Sequence, residues 1–326
     1  MARTTGNYSY EMEVRHEKDQ NGIKAVPSSY PTHSLTWRGN LARKLRIKNE
    51  LARHTLAEFF STFFLMIFIE STVASQALAG QKQDLLLIAL GQGLGVTMGI
   101  YVSGGVSGAV LNPAIGVAFS IIGKLTWIHT FFYAMAQYAG SFLAASLVYG
   151  IMYEPLEVYD GGVRQVVDNA NGTGGTGTWW ATLPPDHRSI GGAFLHEGAC
   201  TAFLVIGVLA ITDDRNWKPH KGFIPFAIGM VVTTILLGFG ANEPVSMNPA
   251  RDFAPRMFAL LAGYPLEMFS INNYGYFWIP IVATHLGAII GALLYTVCIE
   301  LHHVPQEEDT PIFPDEGRDR EKKPSR

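Results

Sequence analysis

Charge and cysteine are both scarce in this chain. Only 16% of its 326 residues are Asp, Glu, Lys or Arg, where a soluble domain carries about a quarter. That shortage argues against a soluble globular domain. The formal net charge of −3 leaves no basic footprint for nucleic acid. The two cysteines, Cys200 and Cys298, both fall inside apolar stretches. They exclude a disulfide framework, and no metal-ligand cluster is legible from local spacing. The first fifty or so residues are polar, so no cleaved signal peptide is expected there.

Apolar residues are plentiful, at 48%, and so is glycine, with 34 residues. This mixture suits closely packed membrane helices. Long apolar runs cover about 56–78, 85–102, 125–152, 191–211, 223–239 and 276–299, and each is read as a membrane span. Two shorter runs, about 112–122 and 248–260, open with one tripeptide: Asn112-Pro113-Ala114 and Asn248-Pro249-Ala250. Asparagine is a good N-cap, and proline at the first helical position loses only an N–H the helix leaves unpaired. Each run is roughly half the length a bilayer requires. Both therefore predict re-entrant half-helices, which lipid tolerates only where backbone is buried in protein or lines a wet cavity.

The order of two spans, a half-helix and a span occurs twice. Asn248 lies 136 residues after Asn112, and Glu58 and Glu197 precede their half-helices by 54 and 51 residues. With three spans per copy, the second copy must be inverted in the membrane. The fold class expected is an all-α membrane protein with six transmembrane helices and two re-entrant half-helices in an inverted repeat. The domain reading is a basic tail over 1–50, disordered over 1–36, then a channel domain over 51–300, then a tail over 301–326. Within the channel domain, the copies occupy about 51–153 and 191–300, joined by an outer loop over 154–190. Trp37, Leu41 and Leu45 recur every four residues among the basic residues of 37–53. That segment reads either as an amphipathic helix lying on the membrane or as a positive flank to the first span.

The basic segment, Lys124, Arg215, Lys218 and Lys221 would share one side, and Asp84, Glu154, Glu157, Asp160, Asp168, Asp186 and Glu243 the other. The basic side is expected to be cytoplasmic, with both termini there. The sequon Asn171-Gly172-Thr173 would then face outward and be open to glycosylation, whereas Asn7-Tyr8-Ser9 would not. Gly91, Gly95 and Gly99, and likewise Gly287 and Gly291, form helical stripes that suit close helix contact.

Two facing half-helix N-termini place positive potential at the channel centre, and the Asn112 and Asn248 amides add N–H donors. A water passing there must turn its oxygen toward both, so the hydrogen-bonded file breaks and protons lose their relay. Arg251 is always charged and is very costly in lipid unless it faces a polar cavity. Glu58 and Glu197 are expected to accept backbone N–H groups from the loops before Asn112 and Asn248. Asp252 is expected to tie down a loop. Glu70 has no assigned role and would face a partner subunit or snorkel outward; His285 reads as a hydrogen-bonded core histidine.

Ser107-Gly108-Ala109-Val110-Leu111-Asn112-Pro113-Ala114 and Met247-Asn248-Pro249-Ala250-Arg251-Asp252 resemble the paired signatures of the aquaporin (major intrinsic protein) family. Asp252, the stretch Gly93-Leu94-Gly95-Val96, the Thr212-Asp213-Asp214 turn and the long 262–276 segment are similar to its aquaglyceroporin branch, of fungal type. The resemblance covers about 51–299. It implies a passive channel, not an enzyme, with no cofactor and no metal. It places Arg251 in a constriction with Gln92, Leu236 and Val245. Water-selective relatives carry histidine at the position of Leu236, and glycerol-selective relatives carry aromatics at those of Gln92 and Val245. This chain has neither, so the permeants implied are water, glycerol and other small neutral solutes. Val110 stands where the family usually has histidine. The resemblance also implies a homotetramer in the lipid bilayer, with the plasma membrane as the default address. Trp179-Trp180-Ala181-Thr182-Leu183-Pro184 is similar to an outer-vestibule loop and is expected to be ordered, with 172–177 mobile. The rival readings are a secondary transporter built on inverted repeats and a closed-pore structural or adhesion protein.

Overall fold

A computed structural model describes residues 14–19, 22–27, 37–79, 84–168, 174–241 and 243–303. The chain divides into two units, Met1–Lys48 and Asn49–Arg326. In the first, β1 (Val14–Asp19) pairs antiparallel with β2 (Gly22–Pro27), and Asp19 lies opposite Gly22. This hairpin lies within the segment read from composition as disordered; the rest of 1–36 lies outside the described residues. Helix α1 (Trp37–Leu45) follows, with Trp37, Leu41 and Leu45 all exposed.

The second unit is helical. Its first copy runs α2 (Glu50–Leu78), α3 (Leu85–Ser103), the half-helix α4 (Pro113–Ile121) and α5 (Trp127–Ile151). After the short α6 (Tyr153–Asp160), the second copy runs α7 (Ile190–Thr212), α8 (Ile224–Phe239), the half-helix α9 (Pro249–Leu261), α10 (Glu267–Tyr274) and α11 (Ile279–Cys298). Side-chain caps fix the long helices. Asn49 accepts from Ala52 N–H, Asp84 from Leu86 N–H, Thr126 from His129 N–H and Ser189 from Gly192 N–H. Five helices, α2, α3, α5, α7 and the one beginning at Ile279, are long and apolar enough to cross a membrane. The sixth, α8, has 16 residues, about 24 Å at the usual rise.

The packing follows a two-fold plan. Helix α2 packs on α3 and α5 as α7 packs on α8 and α11, and the half-helices cross over, α4 against α11 and α9 against α5. The two copies also meet directly, α3 on α8 and α4 on α9. Glycine makes these crossings possible. A Cβ on Gly287 would stand 2.1 Å from Gly198 O, and one on Gly229 would stand 2.3 Å from Gly93 O. The stripe of Gly91, Gly95 and Gly99 turns to Thr72, Phe68 and Leu65 of α2. Both expected glycine stripes therefore lie at helix contacts.

The connection after α5 is more ordered than the sequence suggests. Thr176 N–H donates to Gln165 O at 2.9 Å and Gly177 N–H to Val166 O at 3.1 Å. Backbone pairing thus ties residues 176 and 177, within the stretch 172–177 expected to be mobile, to the start of the same loop. Residues 172 and 173, and the sequons at Asn171 and Asn7, lie outside the described residues. The expected ordered stretch is buried: Trp179, Trp180 and Ala181 are each at most 1% exposed. Lys124 and Arg215, expected on one side, both pair with Glu300, at 2.9 and 3.0 Å.

Candidate functional site: two half-helix tips beside a cavity

Each half-helix is capped by its own asparagine. Asn112 Oδ1 accepts Ala114 N–H at 2.9 Å, and Asn248 Oδ1 accepts Ala250 N–H at 3.0 Å. The amide nitrogens reach across to the other copy. Asn112 Nδ2 donates to Met247 O at 2.7 Å, and Asn248 Nδ2 donates to Leu111 O at 2.9 Å. The two tips are thus tied to one another by a symmetric pair of bonds. A primary amide has two N–H groups, so each asparagine keeps one for a passing acceptor.

The loops before the tips are strained in the same way. Ala109, Leu111 and Met247 hold φ of 54°, 56° and 54°, a left-handed conformation that costs a non-glycine residue about 1–3 kcal/mol. Such turns gather successive N–H groups into a concave anion site, and a buried glutamate fills each one. Glu58, fully buried, accepts Val110 N–H at 3.0 Å, Leu111 N–H at 2.8 Å, Ser107 Oγ at 2.5 Å and Gln137 Nε2 at 2.8 Å. Glu197, 2% exposed, accepts Ser246 N–H at 3.0 Å and Met247 N–H at 2.5 Å.

Beside the tips runs a cavity of about 170 Å³. Its lining extends from Thr212 and Ile224, at the end of α7 and the start of α8, past Asn112 and Asn248 to Gln92 and Arg251. One wall is apolar, with Ile69, Val96, Ile100 and Val232; Val110 lines it too. Arg251 is buried, in the first turn of α9, and its Nη1 has no hydrogen-bond partner among the described residues. An unspent guanidinium donor therefore borders the cavity.

The expected ring of four is brought together only in part. Gln92 and Arg251 line the cavity. Leu236 and Val245 are buried in the same core cluster as Val232 and Met247 and are not among its lining residues. Asp252 does tie down a loop. Its Oδ2 accepts Thr182 N–H at 2.7 Å and Thr182 Oγ1 at 2.6 Å, and its Oδ1 accepts Arg256 Nε at 3.0 Å. Arg256 completes the anchor, donating to Thr182 O at 2.7 Å and to Met268 O. Sequence reasoning missed Arg256, although its four-residue spacing from Asp252 is an ordinary helical ion-pair signal.

Glu70 is neither outward nor exposed. It is 1% exposed, and neither carboxylate oxygen has a hydrogen-bond partner among the described residues. This corrects the expectation that it snorkels or faces a partner subunit: Glu70 lies on the buried face of α2 with Met66, Ile69, Val73 and Ala74. His285 is half-buried, with Nδ1 2.7 Å from Ile281 O, as expected of a hydrogen-bonded histidine. Both cysteines are free, Cys200 buried and Cys298 exposed.

A family model described as Major intrinsic protein matches residues 46–295. The chain is 44% identical over 265 residues to Aquaporin-2 of Milnesium tardigradum, covering 81% of each chain. It is 38% identical over 282 residues to human Aquaporin-9, covering 86% of this chain and 93% of that one. The X-ray structure of the aquaglyceroporin from Plasmodium falciparum superposes with a TM-score of 0.68 at 30% identity, over 77% of this chain and 98% of that one. The fungal-type likeness finds no match among these three.

The chain belongs to the major intrinsic protein family. It is an integral, multi-pass membrane channel of the aquaporin fold, not an enzyme.

Proposed function

We propose that this channel passes water and small uncharged solutes such as glycerol while excluding protons and ions. The observation that carries the reading is the pair of crossed bonds, Asn112 to Met247 O and Asn248 to Leu111 O, beside a cavity bordered by Arg251. Each asparagine spends one N–H on its opposite copy and aims the other, with its helix dipole, at the permeant. A permeant oxygen is then held by donors from two sides and cannot pass a proton onward. Arg251 adds a fixed positive charge against cations and a donor for hydroxyls. The name of one solved relative, the aquaglyceroporin from Plasmodium falciparum, supports glycerol as a permeant.

Gln92 and Arg251, which line the cavity, form the polar side of the selectivity region, and Leu236 and Val245, buried in the adjoining core cluster, back it on the apolar side. The basic ends face the cytoplasm, and the plasma membrane is the working address. Four copies assemble, each with its own pore.

Stopped-flow light scattering of proteoliposomes tests this. Wild-type protein should speed both water efflux and glycerol re-entry, with no proton leak by an entrapped pH dye. Leu236→His, which adds a polar ring at the narrow region, should lower glycerol flux more than water flux. Equal loss of both would sink the filter assignment. Flux that saturates and follows an imposed proton or sodium gradient would favour a coupled transporter instead.

A further inference from the structure

The sequence shows no metal-ligand spacing, yet folding gathers three such groups where α2 and α5 begin. Glu50 and His54 sit four residues apart on α2, with Glu50 Oε1 4.0 Å from His54 Nδ1. An exposed pair of this kind is common on helices and by itself means little. What sets this one apart is His129, which α5 brings to the same place. The His54 and His129 rings are 5.9 Å apart and tilted by 44°, so they are not stacked. One ligand atom from each of Glu50, His54 and His129 lies within 4.8 Å of the others.

We propose that Glu50, His54 and His129 form a binding site for a divalent transition-metal ion such as zinc. Two imidazoles and one carboxylate are the donor set that zinc, nickel and copper prefer and that calcium and magnesium do not. Metal–ligand bonds of about 2.0–2.2 Å require donor atoms roughly 3.3–3.5 Å apart. The observed spread is within reach of small side-chain rotations, since Glu50 is 68% exposed and His54 17%. His129 is also oriented for the task. Thr126 Oγ1 lies 2.7 Å from its Nδ1, which occupies that nitrogen, leaves Nε2 as the free one and fixes the ring in the manner of an outer-shell partner. Lys124 lines the same pocket, but its ammonium is turned to Glu300 at 2.9 Å. Three protein ligands leave the fourth position to water.

The site adjoins the pore machinery. The His129 ring meets the Tyr133 ring edge-on at 5.6 Å, and Tyr133 OH donates to Ser107 O at 3.3 Å. Ser107 is the residue whose hydroxyl donates to Glu58. A bound ion therefore cross-braces the starts of two spanning helices next to the first half-helix loop.

Calorimetric titration of the purified full-length protein in detergent with zinc chloride tests the proposal, with magnesium chloride as control. The expected result is one equivalent of zinc bound, a raised thermal midpoint, and no response to magnesium. His54→Gln and His129→Gln should each weaken zinc binding at least tenfold, while His302→Gln/His303→Gln, a histidine pair elsewhere on the surface, should leave it unchanged. If either α2 or α5 variant fails size-exclusion, Glu50→Gln at its exposed position serves in its place. Cobalt should give the visible ligand-field bands of a four-coordinate site in wild type and lose them in the variants. The proposal is overturned if wild type binds zinc no more tightly than the His54→Gln/His129→Gln double variant, or if binding is lost with His302 and His303.

Discussion

Three glutamates inside the helical unit show how one residue type serves opposite ends. Glu58 accepts three hydrogen bonds from its half-helix loop and a fourth from Gln137 of α5, and Glu197 accepts two from the other loop. Bonds to a charged acceptor contribute about 1.5–3 kcal/mol each. Glu58→Gln, which turns an acceptor into a donor aimed at other donors, should therefore lower the thermal midpoint and the water flux more than Glu197→Gln does. Thermal melts and stopped-flow rates on the two variants, side by side, check the ranking. Glu70 should behave in reverse. Its two oxygens are buried without partners among the described residues, a condition that costs about 1–3 kcal/mol, so Glu70→Leu should raise the midpoint. A fall would mean that Glu70 is held by a group such as an internal water. The bracing pair was legible in the sequence because each glutamate stands at a matching distance from its tripeptide. The isolation of Glu70 was not, because burial on a stripe says nothing about what the neighbouring helix offers. The same holds for His129, whose neighbours at Glu50 and His54 are visible only once α5 lies against α2.

Among the helices, the contacts that glycine permits are the most sensitive to volume. A Cβ at Gly287 would lie 2.1 Å from a backbone oxygen of α7, and backbone cannot yield as a side-chain tip can. Gly287→Ala should cost about 1–3 kcal/mol by overpacking, whereas Gly238→Ala, with nothing within 4 Å of the added carbon, should cost little. Thermal unfolding of both variants distinguishes site-specific packing from a general dislike of alanine. The long spans and both half-helices could be read from apolar length and the Asn-Pro opening. The elements that escaped are short or tied by distant partners. Helix α6 has eight residues, and α10 is broken by non-helical backbone at Ile271, Asn272 and Asn273; both fall within stretches that composition marks as loops. The loop anchor joins Thr182 to Asp252, seventy residues apart, and no local period reports that.

Taken as one body, the helical unit ties its basic end together through two acids: Glu300 pairs with Lys124 of the first copy and Arg215 of the second, and Asp213 gathers segments within the second. Asp213 accepts from Arg215 N–H at 3.0 Å and from Tyr295 OH at 3.2 Å, and His303 lies 3.4 Å from it. Burial alone would raise its pKa, but the Arg215 N–H and guanidinium outweigh this and hold the carboxyl below its ordinary value. A group depressed on folding stabilises the protein above its unfolded pKa, and that contribution is lost as pH falls through the folded value. The wild-type midpoint should therefore fall below about pH 4 more steeply than that of Asp213→Asn; parallel curves would show that Asp213 contributes nothing there. The crossed asparagine bonds have a consequence for the protein's making. Each half completes its pore-facing tip with a carbonyl the other half supplies, so neither is a finished object alone. Two fragments severed within the connection between the copies should stay idle when produced apart and recover conduction when produced together in one cell.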